Sequence, residues 1–395
     1  MTVLRASART ARRTVIAAVV VTLGLAGCGG SDADETQGCG AQAIAFIGPT
    51  TGPDGGFVRT ARNGAELAVR RHNVGNADCP VGLITFDTTG DAGEIDRVVD
   101  EVVGDPQILG VVGPTFSGLT ADLMPAFDRA GLTVVSGSAT NPGLADEGWS
   151  AFHRVVGTDA AVAPADVTFL VDRLEARRVA VIDDEGLYGV GLADLAADGL
   201  RDRDIAVPVR SGVDPESVNY SSTVAAVLRA DADAVFFGGL SVPGARLVRQ
   251  LREAGFRGDF VGGDGVYQDE FITAGGAAAV GAYGSCPCLD ATGGSPERVA
   301  FALEYEDVYG SVPGAFAAEY YDSADVILRA IADGATSRSA VEQWVTDADV
   351  SGLTKRIRFE PNGNIRGGPI YIYRVSEARR FVPAATVVDG KLVGR

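Results

Sequence analysis

The polar groups best placed for recognition chemistry are Ser117 and the run Ser138-Ala139-Thr140, each lying just beyond an apolar, β-branched segment. Those segments, 108–113 and 132–135, have the length and composition of buried parallel strands. In an open parallel sheet a ligand sits beyond the carboxyl ends of the strands, where helix N-termini present unpaired N–H groups. Hydroxyls and backbone amides there, with no basic side chain between Ser117 and Pro125, suit a small neutral or zwitterionic ligand such as an amino acid. They suit a nucleotide phosphate less well. Ser and Thr after strands also serve as ordinary helix caps. Ser117 or Thr120 is expected to cap the helix that Leu119, Leu123, Met124, Ala126 and Phe127 mark by their spacing, and Gly131 to end it.

Groups for covalent or acid–base catalysis are scarce. The two histidines, His72 and His153, have no Ser or Cys partner at a motif spacing and read as surface or structural residues. The stretch 189–194, GVGLAD, lacks the third glycine of a dinucleotide fingerprint and begins about six residues past its strand, whereas that fingerprint turns directly off the strand. GPTTGPDGG lacks the Lys-Ser/Thr of a phosphate-binding loop. Asn219-Tyr220-Ser221 fits a glycosylation sequon but reads as a helix cap. No catalytic residue, metal site or cofactor is expected.

The N-terminus has the marks of export. Residues 1–27 carry Arg5, Arg9, Arg12 and Arg13 with no acid, then an apolar run from 15 to 26 too short to span a bilayer. The run ends Leu25-Ala26-Gly27-Cys28, which resembles the bacterial lipobox, whose Cys is acylated and becomes the mature N-terminus. Residues 28–39 then read as a flexible acidic tether between a lipid anchor and the folded chain. Without those four arginines the formal charge moves from −18 to −22, and the absence of a basic patch excludes a nucleic-acid partner. Outside the cytoplasm an even set of cysteines favours disulfides. Cys39 and Cys79 precede the first two strands, which would start side by side, so they form one expected staple. Cys286 and Cys288, in a Cys-Pro-Cys turn, form either a tight local bridge or a free pair, and two Cys alone make a poor zinc site.

The elements that must position these residues alternate regularly. Strand 43–48, helix 57–72, strand 81–86 and helix 92–103 lead into the central stretch, in units of βαβ size. The alternation restarts after about 157 with helix 160–174, strands 178–183, 205–209, 234–239 and 259–264, and helices 190–201, 221–229 and 243–254. Helices over 296–309, 316–333 and 338–346 follow. Short β-like runs come last, around a Pro361-Asn362-Gly363-Asn364 turn. The reading is an α/β protein of two doubly wound, Rossmann-like lobes.

The ordered succession IGPTTGPDGGF, VVGPTFSGLT, VVSGSATNPGL, FHRVVGTDA, VAVIDDEGLYGVG, FFGGL and FVGGDG resembles the periplasmic binding proteins of the leucine/isoleucine/valine-binding type, the receptors of branched-chain amino acid ABC transporters. The resemblance implies two lobes joined by three crossovers, near 157–160, 284–290 and 361–366, with the ligand in the hinge cleft. It places 40–157 with 289–360 in lobe one and 158–288 with 361–395 in lobe two. It further implies that Phe57, Ser117, Ser138, Ala139 and Thr140 hold the ligand from lobe one, and Tyr188, Leu240 and Asp264 from lobe two, with Asp264 facing the ammonium. A carboxylate is what a desolvated ammonium demands. Two positions depart from the usual pattern: Leu240 stands where an aromatic is common, and Asp264 where a Glu is, and the ligand the resemblance implies is a branched-chain amino acid or a related small amino acid or amide. The partners implied are that ligand, a membrane permease and a lipid anchor on the outer face of the cell membrane. A ligand sensor of the same fold signalling to a membrane protein is the other reading.

Overall fold

The computed structural model describes residues 41–88 and 91–393; the expected leader, the tether, Cys28 and Cys39 lie outside the described residues. The first strand, β1 (Gln42–Gly48), is buried from Ala43 onward, so helices cover both its faces, as its unbroken apolar run requires. It is followed by α1 (Gly55–Gly75), β2 (Val81–Asp87), α2 (Ala92–Gly104), β3 (Ile108–Val112), α3 (Ser117–Arg129), β4 (Thr133–Ser136) and a short β5 (Phe152–Arg154). These strands form one all-parallel sheet in the order β2-β1-β3-β4-β5.

A second sheet grows from α4 (Asp159–Thr168), β6 (Arg178–Asp183), α5 (Leu187–Arg201), β7 (Ala206–Gly212), α6 (Ser221–Arg229), β8 (Ala234–Gly238), α7 (Ser241–Glu253), β9 (Asp259–Gly262), α8 (Asp269–Gly275) and β10 (Tyr283–Cys286). The chain then returns to pack α9 (Pro296–Tyr309), α10 (Ala317–Ala332) and α11 (Arg338–Thr346) with the first sheet and adds a small ribbon, β11 (Asp349–Ser351) and β12 (Arg356–Arg358). It crosses once more to lay β13 (Ile370–Val375), β14 (Phe381–Val388) and β15 (Lys391–Val393) antiparallel on the edge of the second sheet, in the order β15-β14-β13-β10-β9-β8-β6-β7. Two doubly wound lobes thus share three crossings, at 155–158, 287–295 and 359–369.

Each sheet reverses its strand order once in the parallel part, between β1 and β3 in the first lobe and between β6 and β8 in the second. A ligand crevice opens at such a switch point. Four loops therefore converge: those after β1 and β3 from one lobe, and those after β6 and β8 from the other. β1 and β2 run parallel with Gln42 opposite Val81. Cys79 is disulfide-bonded, and Cys286 is bonded to Cys288 within the second crossing.

Local details differ from expectation in two places. Neither Ser117 nor Thr120 caps α3: the capping position is Phe116, without a side-chain bond, and the Thr120 hydroxyl donates back to the Phe116 carbonyl at 2.9 Å. Helix α5 begins at Leu187, three residues before the expected start, so Tyr188 sits in its first turn and not in a loop.

Helix α10 is the buried spine of the first lobe, and α1 lies directly against it. Gly64 makes this possible, because a Cβ there would stand 2.0 Å from the Ala317 carbonyl oxygen. Gly64→Ala gains up to about 1 kcal/mol of helix propensity, yet it should destabilise the protein by about 1–3 kcal/mol through overpacking. Urea unfolding of the variant should show a lower midpoint at an unchanged slope.

Candidate functional site

A cavity of about 550 Å³ opens between the lobes where the four loops meet, within the usual range for small-ligand sites. Pro49, Thr51, Asp54, Thr115 and Phe116 come to it from the loops after β1 and β3, and Asp184, Gly186, Leu240 and Asp264 from the loops of the second lobe. Six of the eight residues expected at a site line this one cavity: Phe57, Ser117, Ser138, Tyr188, Leu240 and Asp264. Ala139 and Thr140 are fully buried and are not among its walls.

The first-lobe wall is aromatic at one end and polar at the other. Phe57, in the first turn of α1, packs its ring 5.5 Å from Phe116 and edge-on to Phe316 at 5.9 Å, and all three line the cavity. Phe316 holds a left-handed backbone with φ of 64°, a conformation that costs a bulky residue on the order of 1–3 kcal/mol. The strain turns its ring into the wall. At the polar end the Ser138 hydroxyl donates to the Thr115 carbonyl at 2.6 Å and pairs with the Tyr320 hydroxyl at 2.7 Å. The Ser136 hydroxyl accepts from the Ala139 amide at 3.0 Å. These groups are committed to shaping the loop. Ser117 accepts the Asn141 amide at 3.2 Å, and the Thr140 hydroxyl is buried with no partner.

The second-lobe wall carries carboxyl groups out of water. Asp264 follows β9 and accepts a hydrogen bond from the Tyr188 hydroxyl at 3.0 Å, and that hydroxyl in turn accepts the Gly265 amide at 3.1 Å. Burial raises Asp264 to about 7, against the pull of the Tyr188 bond. Asp184 is satisfied instead, accepting the Leu240 amide at 2.7 Å and the Gly186 amide at 3.2 Å.

Asp159 was not among the expected site residues. It opens α4 directly after the first crossing and is fully buried, and neither carboxyl oxygen has a partner. Burial first, then the nearby Asp264, pushes it far above the carboxylate range; Thr140 and Arg154 oppose the shift. Its amide donates to the Thr140 carbonyl at 3.0 Å, which ties the acid to the first-lobe loop. The signal was legible in composition: Asp159 and Asp166 lie seven apart in a helix otherwise built of Ala, Val, Pro and Thr, so both share its buried face. A buried carboxyl without a hydrogen bond is costly unless it is neutral or meets a cation. Of these groups Asp264 lines the cavity, and Asp159 and Thr140 lie fully buried behind that wall.

A cavity of about 650 Å³ lies on the hinge side, lined by Pro287, Phe359 and Tyr371 among others. Among its charged groups Arg356 pairs with Asp349 at 2.5 Å, Lys355 donates to the Val155 carbonyl at 3.0 Å and Glu319 accepts the Leu289 amide at 2.8 Å through Oε1, while Glu319 Oε2 is buried without a hydrogen bond. The interlobe cleft is the cavity at which the switch-point loops of both lobes meet. His153, in β5, is buried and packs edge-on against Phe359 at 4.7 Å, away from the cleft walls.

Residues 41–380 match the family model described as periplasmic binding protein. A Leu/Ile/Val-binding protein of Rhizobium johnstonii is 31% identical over 240 residues, 60% of this chain and 65% of that protein, so the match spans just under two thirds of the relative's length. An amino acid binding protein of Pseudomonas aeruginosa is 25% identical across 86% of this chain and 91% of its own. The crystal structure of a leucine binding protein from Thermotoga maritima superposes with a TM-score of 0.81 at 24% identity, covering 88% of this chain and 99% of that one.

The raised carboxyls set the pH response of the empty protein. Asp159, Asp166 and Asp264 keep protons that the unfolded chain releases from about pH 4 upward, and Glu319, raised to about 7, does the same. His153, lowered to about 4 by burial, and His72, lowered by its partial burial, act oppositely, two groups against several. Stability should therefore fall as pH rises through that window, with a higher melting temperature near about pH 5.5 than near about pH 8. Asp159→Asn should flatten the slope in a calorimetric pH series.

Proposed function

Because this chain belongs to the periplasmic binding protein family, and within it to the leucine/isoleucine/valine-binding type, we propose that its interlobe cleft captures a branched-chain or related small amino acid, or an amide, for import by an ABC transporter. The observation that carries this reading is the Asp264 carboxyl, a wall of the cavity held out of water beside Tyr188, with the fully buried Asp159 carboxyl behind it. An α-ammonium group has the charge and the three N–H donors that such a cluster lacks. Ser117 and the backbone of the loop after β4 lie on the first-lobe side for the carboxylate. The side chain would meet Phe57, Phe116, Phe316 and Leu240. The family binds its ligands and does no chemistry on them, in keeping with the scarcity of catalytic groups.

Capture proceeds by hinge closure. The ligand seats first on the rigid first-lobe loops, and the second lobe then brings Tyr188 and Asp264 over it and excludes water. In that dry site the ammonium pulls Asp264, and Asp159 behind it, back to their charged forms, so binding releases protons and tightens as pH rises from about 6 to about 8. We place the protein on the outer face of the cell membrane, held by an acyl chain on Cys28 and working with a membrane permease. The support for this is the leader composition and the lipobox-like Leu-Ala-Gly-Cys.

Leucine, isoleucine or valine at a hundredfold over its dissociation constant should stabilise the protein by roughly 2.7 kcal/mol, seen as a thermal shift. Asp264→Ala and Asp159→Asn should abolish binding of any amine ligand, and Ser117→Ala and Thr140→Ala should each weaken it by about 1–3 kcal/mol in calorimetry. A shift with short amides alone would remove the acids from the ammonium role. Unchanged affinity in all four variants would move the pocket elsewhere.

A further inference from the structure

Two side chains reach across the cleft into the opposite lobe, and each is seated where the facing helix has a glycine. Asn141, on the loop after β4, donates from Nδ2 to the Leu187 carbonyl at 2.9 Å. Its Nδ2 lies 2.6 Å from where a Cβ on Gly191 of α5 would stand. The same side chain is pre-set from its own lobe, since Oδ1 accepts the Gly143 amide at 2.9 Å. Glu270, on α8, extends the other way. Its Oε1 fills the place of a Gly56 Cβ at the start of α1.

That second contact completes an unfinished helix end. The capping residue of α1, Asp54, makes no side-chain bond to the helix. The amides of Gly55 and Val58 donate to the Gly52 and Asp54 carbonyls, and the nearby Phe57 amide pulls the Glu270 carboxyl toward its charged form. A carboxylate at a helix N-terminus satisfies orphan N–H groups and the helix dipole together. Here it is supplied by the other lobe. Asp269 and Asp54 lie near enough to repel it, and Arg59 offsets them in part.

Neither Asn141 nor Glu270 is a wall of the cavity. We propose that they are positioning residues, two glycine-seated latches that hold the lobes together in the absence of ligand and set residence time without touching it. Asn141 joins the first-lobe loop directly to the turn that carries Tyr188, so engaging this latch places the second-lobe wall. Ligand-free protein then populates the closed form, and the ligand adds to a closure the chain already makes. The effect on binding rests on the cleft being the ligand site; the effect on lobe separation does not.

The test breaks each latch from both sides. Asn141→Asp keeps the bond from the Gly143 amide but faces the Leu187 carbonyl with a carboxylate, and Gly191→Ala fills the notch while favouring the helix it sits in. Glu270→Ala and Gly56→Ala do the same for the second latch, with Glu270→Gln as the conservative partner that retains an acceptor. Small-angle scattering of the ligand-free protein should show a larger radius of gyration in Asn141→Asp, Gly191→Ala, Glu270→Ala and Gly56→Ala, and a smaller increase in Glu270→Gln. The melting temperature of ligand-free Gly191→Ala should not fall. Stopped-flow release of L-leucine should be faster by about fivefold to tenfold in each glycine variant. Wild-type scattering in all variants, with wild-type leucine release, overturns the latches and leaves the functional reading standing. Expanded variants of a protein that binds no leucine, isoleucine or valine establish the latches and overturn that reading.

Discussion

The arrangement depends on one buried cation. Arg154, at the end of β5, has no exposed surface, and its guanidinium binds two other segments of the chain, the loop after β4 and the distant third crossing. Nη1 donates to the carbonyls of Ala139 and Asn141 at 2.9 and 2.7 Å, and Nε donates to the Asn364 side chain at 2.7 Å. Its own amide donates to Gly363, where the left-handed turn comes so close that a Cβ would strike the Phe152 carbonyl. One side chain therefore fixes the ligand-facing loop after β4, the first crossing that follows it and the third crossing that returns. Burial lowers it only to about 10, so it stays charged at any physiological pH. Desolvating such a charge is repaid only by bonds of good geometry, and removing it would orphan two carbonyls beside the cleft.

The same cation explains how a cluster of carboxyls survives a few residues away. Arg154 acts on Asp159 through space without an ion pair among the described contacts, which lowers the cost of the acid but leaves its oxygens unpartnered. A direct bond would have spent the carboxyl on structure. Asp184 shows that alternative: two backbone amides satisfy it, and its service is to pin the loop that carries Leu240. The second lobe thus holds acids of two kinds, distinguished by whether the fold itself supplies their donors.

Much of this was written in residue order and spacing. Apolar runs gave the parallel strands, glycine and proline gave the turns, and the small polar residues after β4 marked one side of the cleft. What periodicity could not give was partnership. Ser138 looks in sequence like a free hydroxyl, but Tyr320, 182 residues later, takes it. Asp159 looks like an ordinary first-turn acid, a position that favours carboxylates on any helix, and only the packing of α4 between the crossing and the second sheet strips it of water. β5 and β10 are too short to announce themselves, and they exist because a sheet edge was there to receive them.

The division of labour across the cleft follows from these attachments. At its inner end, polar groups are held through Arg154, Tyr320 and the first crossing, so a change there disturbs hinge and site together. At its outer end, Leu240 is anchored by its backbone to Asp184 while its side chain faces the cavity, and Phe57 sits in a helix turn whose position α10 and the aromatic pairing with Phe316 already secure. Side chains there can change size without moving the backbone that carries them. A fold built this way keeps the polar groups of its inner end fixed and leaves room for side chains of different size at the outer end, where Leu240 stands.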